Sequence, residues 1–337
     1  LGKTNPYGGH VFPTDHHYVL HRRADNMPLS GIQSDVRAPS DMRLLMVVLD
    51  QTTAPVARTD YMLYFYACDQ VQVMFFHIQN LTPSLKESIG EIAENCQSVT
   101  NGVVKSNTCE AYPNIAIKAG DVIGRTNSYD FGMEDYRKPK LPFQHAVRTA
   151  YTVSPYDYFT AEIRSMYQPF LGDASKSDQA TLLPSDFVAR DANTGMGSIM
   201  YDVAGTASGN WYKPGQPDFP ESPHVSLHGD YIKATTQRHF SIGSSLGTSE
   251  IGRYAFAVEF SGTVNLDFDR IVPGPTVYCY DRFITQSGAP TNPAKTRIVL
   301  VRMDSANEIQ IETRIAESCA KAGPTLELTA KAVRFVR

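Results

Sequence analysis

"DYMLYFYACDQVQVMFFHIQNL", residues Asp60 to Leu81, is two apolar runs parted by the polar pair Asp69-Gln70. Each run is rich in aromatic and β-branched residues and alternates between apolar and polar positions, the pattern of a half-buried strand rather than a helix. The stretch therefore reads as a β-hairpin. Upstream, "DVRAPSDMRLLMVVLD" (Asp35 to Asp50) is a turn running into another strand. Downstream, "TPSLKESIGEIAENC" (Thr82 to Cys96) changes period: Thr82 is placed to cap, Pro83 takes the first helical position, and apolar residues recur at helical spacing. "YPNIAIKAGDVIGRTNSYDFGMEDY" (Tyr112 to Tyr136) returns to short strands, with a turn at Gly120-Asp121.

The texture shifts after that. "RKPKLPFQ" (Arg137 to Gln144) is a connector, "YDYFTAEIRSMYQPFL" (Tyr156 to Leu171) a short helix, and "LGDASKSDQATLLPSD" (Leu171 to Asp186) a polar loop. From about residue 195 strand-length segments alternate with turns: "GSIMYDVAGTASGNWY", "RYAFAVEFSG", "RIVLVRMD", "EIQIETRI" and "TLELTAKAVRFVR". The pair "RIVLVRMDSANEIQIETRI" is a hairpin turning at Asp304 to Asn307. The expectation is a mainly β chain: a β-domain over 1–150, a connector with a short helix over 151–184, and an antiparallel β barrel or sandwich over 185–337.

Composition agrees. The 337 residues are 42% hydrophobic and 20% charged, with 18 Tyr and 16 Phe against one Trp, a balance common in β-rich folds. With 21 Pro and 23 Gly, long helices have little room. A net charge of −4 supplies no field drawing the protein to nucleic acid or anionic lipid, and no apolar run is long enough to span a bilayer. The chain starts at Leu1, as removal of a leader would leave it. None of the five cysteines forms a CxxC pair, which argues against structural zinc. Cys96 and Cys109 flank a short polar loop and suit a local disulfide. Cys279 and Cys319 offer a second, with Cys68 left over. The expected location is exported: periplasmic, cell-surface or extracellular. The alternative is five buried, reduced thiols in a cytosolic protein.

Three segments of the first half carry a family pattern. "VRAPSDM" (Val36 to Met42) is similar to the V-x-A-x-x-x-G turn of lysostaphin-type zinc endopeptidases, with Met42 in place of the glycine. "MFFHIQNL" (Met74 to Leu81) resembles the family's Y-x-H-L strand, His77 falling on its histidine. "IKAGDVIGRTNSYDFGM" (Ile117 to Met133) resembles the V-x-x-G-x-x-I-G-x-x-G segment that runs into His-x-His, with Asn127 for the last glycine and no histidine after it. The resemblance covers roughly residues 8–135. It implies a lysostaphin-like (duplicated hybrid motif) domain and, for activity, a zinc ion held by three protein ligands beside an open position for water.

Family ligands come from His-x-x-x-Asp and the second histidine of His-x-His. Here "GGHVFPTDHHYVLHRR" (Gly8 to Arg23) holds four histidines, His10, His16, His17 and His21, around Asp15, but His10 and Asp15 are one residue too far apart. On a strand that spacing puts them on opposite faces. A bend at Pro13, or His16 as the inward group, restores convergence. At the third place stands Asp130, with Ser128 where the other histidine belongs. The resemblance thus implies zinc ligands among His10, Asp15, His16 and Asp130, with His77 orienting or deprotonating the water. Each residue also has a plain reading: Asp15 capping a turn, His77 as a bonded core histidine, Asp130 in a turn.

Elsewhere, "HVSLHGDY" (His224 to Tyr231) puts His224 and His228 on one side of a strand near Asp230, a metal set or a solvated barrel rim. Trp211 is a sugar-stacking platform or the plug of a barrel end. Gly243 to Gly247 matches G-x-S-x-G at Ser245, yet no helix pattern follows directly and no histidine comes after it. Two functions stay open: an exported binding or structural protein whose peptidase-like fold has lost its machinery, or a divergent zinc hydrolase acting on peptidoglycan peptide or a related polymer. The partner in either case is a cell-wall or extracellular polymer, or a protein in an assembly.

Overall fold

The computed structural model describes residues 3–6, 9–20, 33–54, 56–101, 104–167, 173–174, 187–188, 197–231, 233–284, 297–322 and 326–337. The Asp60–Leu81 stretch forms the expected hairpin, β4 (Arg58–Cys68) and β5 (Val71–Ile78). Tyr61, Leu63 and Phe65 alternate inward along β4 and meet Val73 and Phe75 of β5 in antiparallel register. Around it lie β1 (His16–Leu20), β2 (Ser34–Arg37), β3 (Met42–Ala54), β6 (Asn80–Leu81), β7 (Glu94–Asn101), β8 (Val104–Ala111), β9 (Ile115–Ile117), β10 (Val122–Thr126) and β11 (Ser128–Asp135). One antiparallel sheet runs β1-β11-β5-β4-β3-β8-β7 with β9 added to β3, and a smaller sheet runs β2-β10-β6.

The two sheets and helix α1 (Pro83–Ile89) share a core. Leu44, Val47, Leu63, Phe65, Phe75 and Phe131 come from the large sheet, Val36 and Ile123 from the small one, and Leu85 from the helix. Gly124 is required where β10 crosses: a Cβ there stands 2.6 Å from Ile78 Cγ2 and 2.7 Å from the Asn80 carbonyl oxygen.

The helix is shorter than its sequence pattern. Thr82 accepts from the Leu85 amide as expected, but the helix stops at Ile89, where Gly90 at φ 74° donates to the Lys86 carbonyl. The following Glu94–Asn101 is a strand, not helix, because pairing with β8 and the Cys96–Cys109 bond outweigh a weak local preference.

Helix α2 (Ala161–Tyr167) follows a single 3-10 turn at Pro155–Tyr158. Short pieces β12 (Asp173–Ala174) and β13 (Phe187–Val188) pair with each other, and most of the polar stretch around them lies outside the described residues. The remaining strands are β14 (Gly209–Trp211), β15 (Val225–Gly229), β16 (Gln237–Ile242), β17 (Gly252–Ala257), β18 (Tyr278–Tyr280), β19 (Arg297–Ser305), β20 (Glu308–Ile315) and β21 (Val333–Val336). They make two four-stranded antiparallel sheets, β14-β15-β16-β17 and β18-β19-β20-β21. A second core is common to both: Trp211, Leu227, Phe240 and Phe256 of the first sheet pack with Tyr280, Val299, Ile311 and Phe335 of the second. "TLELTAKAVRFVR" is strand only at its end. Before that, Thr329 bonds the Glu312 carboxylate through both its amide and its hydroxyl, which holds the chain off the ladder.

Two disulfides are formed, Cys96–Cys109 and Cys279–Cys319, and Cys68 is free and exposed. Such pairs are compatible with an oxidising location. No helix among the described residues is long and apolar enough to cross a membrane. The two cores are bridged by the amino-terminal segment. Phe12 stacks on His224, with centroids 5.5 Å apart and an interplanar angle of 3°, and lies 5.0 Å from Tyr212.

Candidate functional site

The pairing register builds a polar site on the face of the large sheet turned away from its core. Phe131 of β11 pairs with Phe75 and both point into the core, so Asp130 and its partner Phe76 point to the other face. On β1, His16 pairs with Gly132 and shares the face of Asp130, a diagonal neighbour. His17 takes the opposite face, its Nε2 3.3 Å from Ser154 Oγ and its ring on Tyr156. Gly132 lets β1 come close: a Cβ there stands 2.9 Å from Met74 Cε and 3.4 Å from His16 Cβ.

Alternation alone sends His77 to the wrong face. Between Tyr61 and Leu63 of β4, the partner strand advances from Ile78 to Phe75, one residue too many. The extra residue is absorbed as a bulge, and His77 takes φ 65°, the left-handed region. The bulge re-aims its ring toward Asp130. Thr126 secures the bend by donating to the His77 carbonyl at 2.8 Å.

Five side chains from four strands and the segment before β1 then meet in a row. Asp15 Oδ1 lies 2.8 Å from His16 Nδ1, and His16 Nε2 lies 3.3 Å from Asp130 Oδ2. The same oxygen is 3.2 Å from His77 Nε2, and His77 Nδ1 is 2.7 Å from Asp60 Oδ2. His10 stands edge-on to the His16 ring at 5.2 Å. Thus all five residues singled out in the sequence, His10, Asp15, His16, His77 and Asp130, are neighbours. Of the two arrangements the sequence left open, His16 takes the inward place, and Asp15 turns to its neighbour His16. Asp130 is a buried mid-strand residue, which sets aside its plain reading as part of a turn. Ser128 bonds Asn127 and takes no part, and His21 lies outside the described residues. Asp60 was missed. Its signal is a charged residue buried at the start of an otherwise apolar strand.

The electrostatics follow from three carboxylates around two rings. Hydrogen bonding to Asp130, then to Asp60, raises the His77 imidazole to about 10, against a smaller opposing effect of burial. Burial, the largest single influence, pushes the Asp15 carboxyl up, but the bond to His16, the His16 and Arg148 charges and a backbone hydrogen bond together outweigh it, and the net displacement is downward. The His10 imidazole is lowered, first by burial and then by His16 beside it. His16, Asp60 and Asp130 are buried, while about half of the His77 side chain is exposed, so the site opens to solvent there.

For a metal, the donor types fit and the closure is incomplete. Two imidazole nitrogens and a carboxylate are a set zinc favours, and each ring is oriented by a second carboxylate on its Nδ1, as metal-binding histidines are. The Nε2 of His16 is buried with no hydrogen-bond partner, 3.3 Å from Asp130 but outside hydrogen-bond geometry. Among the described residues, however, no group of three or more His, Cys, Asp or Glu side chains stands ready to hold a metal ion. The two Nε2 atoms approach the Asp130 oxygen itself.

Other constellations resolve into structure. His224 accepts from the Lys213 amide at Nδ1, and its Nε2 lies 3.0 Å from the Pro217 carbonyl oxygen, so neither nitrogen is left for a metal. It, His228 and His239 are fully buried, not a solvated rim, and Asp230 pairs with His239 at 2.6 Å. Trp211 is buried beneath the Arg337 guanidinium, 3.8 Å from its ring, which closes it to sugars. Ser245 donates to the Pro223 carbonyl oxygen. A groove of about 460 Å³, lined by Met42, Leu45, Tyr66 and Cys68 among others, contains none of the site residues. No protein-family model matches this chain, and comparison with curated proteins and with solved structures likewise finds no match.

Proposed function

We propose that this chain is an exported binding protein on a lysostaphin-like fold, and that its His16–Asp130–His77 pocket takes a divalent cation of zinc's chemistry without hydrolysing a substrate. One observation carries the reading: two imidazoles, each clamped at Nδ1 by its own carboxylate, present Nε2 to a single oxygen of Asp130. Three acids against two rings leave the pocket negative, which favours a cation. The missing closure means that a cation enters as side chains shift, displacing the proton His77 now carries. When bound, zinc would act there as a Lewis acid and a structural tie.

The His77 imidazole supports binding over catalysis. With Nδ1 on Asp60 and Nε2 turned to the Asp130 oxygen where the cation would sit, neither ring nitrogen is free to deprotonate water. The two disulfides support a location outside the reducing cytosol. A cell-wall or extracellular polymer, or a protein in an assembly, is the partner class that fits such a location. The hydrolase reading has one observation in its favour, the solvent-open side of the pocket at His77.

Thermal melting tests the proposal. Zinc at a hundred times its Kd stabilises a single-site protein by about 2.7 kcal/mol, and EDTA reverses it. His16→Ala abolishes the shift. A melting temperature indifferent to zinc and EDTA refutes the cation site. Release of peptide from peptidoglycan by zinc-loaded wild type, absent in His77→Ala, establishes the hydrolase instead.

A further inference from the structure

Glu221 belongs to the carboxyl-terminal half, on the segment before β15, yet its side chain serves the amino-terminal site. Its Oε2 accepts from the Phe12 amide at 2.9 Å, and the Val11 amide also bonds it. The Glu221 carbonyl oxygen accepts from the His224 amide at 2.9 Å, and the His224 ring stacks on Phe12. Val11 and Phe12 are buried, and they lie between His10, tied to Asn5 by a two-way backbone bridge, and the Asp15–His16 pair. One carboxyl therefore fixes the backbone from which the edge of the site hangs.

We propose that Glu221 is a positioning residue for the His16–Asp130–His77 pocket: by holding the Val11–Phe12 backbone it sets where His10 and Asp15 stand against His16. The inference rests on the cation-site reading for its consequence, and on geometry alone for the clamp. The charged and titratable groups facing Glu221 are Asp15, Arg148, and the phenols of Tyr18 and Tyr212. Burial, with Asp15 adding to it, raises the Glu221 carboxyl to about 7, against the pull of the two amides and Arg148. The protonated form is thus the one the closed clamp prefers, and the clamp loosens as pH rises through that value.

Hydrogen exchange at the Phe12 amide, corrected for intrinsic rate, reads the clamp without any metal. Wild type should lose protection as pH rises through about 7. Glu221→Gln, which mimics the protonated carboxyl, should keep it across that range. Glu221→Ala should exchange about tenfold faster or more than wild type below that pH, as for a lost buried hydrogen bond, and the gap should narrow above it. Zinc titration then reads the coupling: Glu221→Ala should weaken affinity about tenfold and Glu221→Gln should not. Phe12 protection unchanged in Glu221→Ala overturns the clamp. Protection lost with zinc affinity intact overturns the positioning role. Wild type that binds no zinc refutes the cation site and the positioning role together, and leaves the clamp to the exchange data.

Discussion

Removing the Cys279–Cys319 bond gives a loss whose size follows from its place in the chain. The bond closes a loop of 40 residues, and its loop-closure entropy corresponds to about 4 kcal/mol of stability. Cys96–Cys109 closes only 13, worth about 3 kcal/mol on the same basis. The second figure is an upper bound, because β7 and β8 are already paired along their length, and the reduced hairpin keeps its ends together. Cys279 and Cys319 have no such ladder between them. Both are buried in a small cluster with Ile298 and Leu300, and the Cys319 amide donates to the Asp281 carboxylate. Alanine is the proper replacement, since a serine hydroxyl would enter an apolar cluster. The lone tryptophan, Trp211, lies in the core shared by the two carboxyl-terminal sheets, next in the fold to the cysteine cluster's strands and not in the first core, so its fluorescence during urea unfolding reports this half. The Cys279→Ala/Cys319→Ala variant should lose about 4 kcal/mol and Cys96→Ala/Cys109→Ala clearly less. Equal losses, or a loss below about 1 kcal/mol for the first pair, would refute the reasoning.

Three further outcomes follow. At position 77 the backbone is left-handed, so His77→Gly should be more stable than His77→Ala by about 1 kcal/mol although both lose the same ring; urea midpoints decide it. Gly132→Ala should cost less than about 1 kcal/mol, because the methyl at the end of the flexible Met74 side chain can swing aside, whereas Gly124→Ala, which meets the Asn80 carbonyl oxygen, should cost about 1–3 kcal/mol; urea midpoints compare them. Between 4.5 and about 7 the Glu221 carboxyl binds more protons folded than unfolded, so its contribution to stability is present below that window and lost as pH rises through 7. The raised His77 imidazole acts in the same sense higher up, its contribution present below 6.5 and lost through about 10. Urea midpoints against pH for wild type, Glu221→Gln and His77→Ala should separate the two windows, with Glu221→Gln flat in the lower one.

Strand alternation made the β4–β5 hairpin legible, and the turn pair at Asp304 to Asn307 made β19–β20 so, because these contacts are local. The helix end was not, since Gly90 and a partner strand sixteen residues away decide it. In the site, residue types and segment order led to His10, Asp15, His16, His77 and Asp130. Linear spacing left open which of Asp15 and His16 turns inward and concealed the bulge that turns His77; register decides both. Asp60 was hidden because a single acid in an apolar strand has no spacing to betray it. Glu221 was hidden by the 209 residues between it and Phe12.

The proposed function requires that His16, His77 and Asp130 hold a cation, and elemental analysis of protein purified without chelators and dialysed against zinc reads that cation itself. Wild type should carry stoichiometric zinc and Asp130→Ala none, both with the native circular dichroism spectrum. Folded wild-type protein that retains no zinc, or zinc that survives the loss of Asp130, would contradict the proposed function.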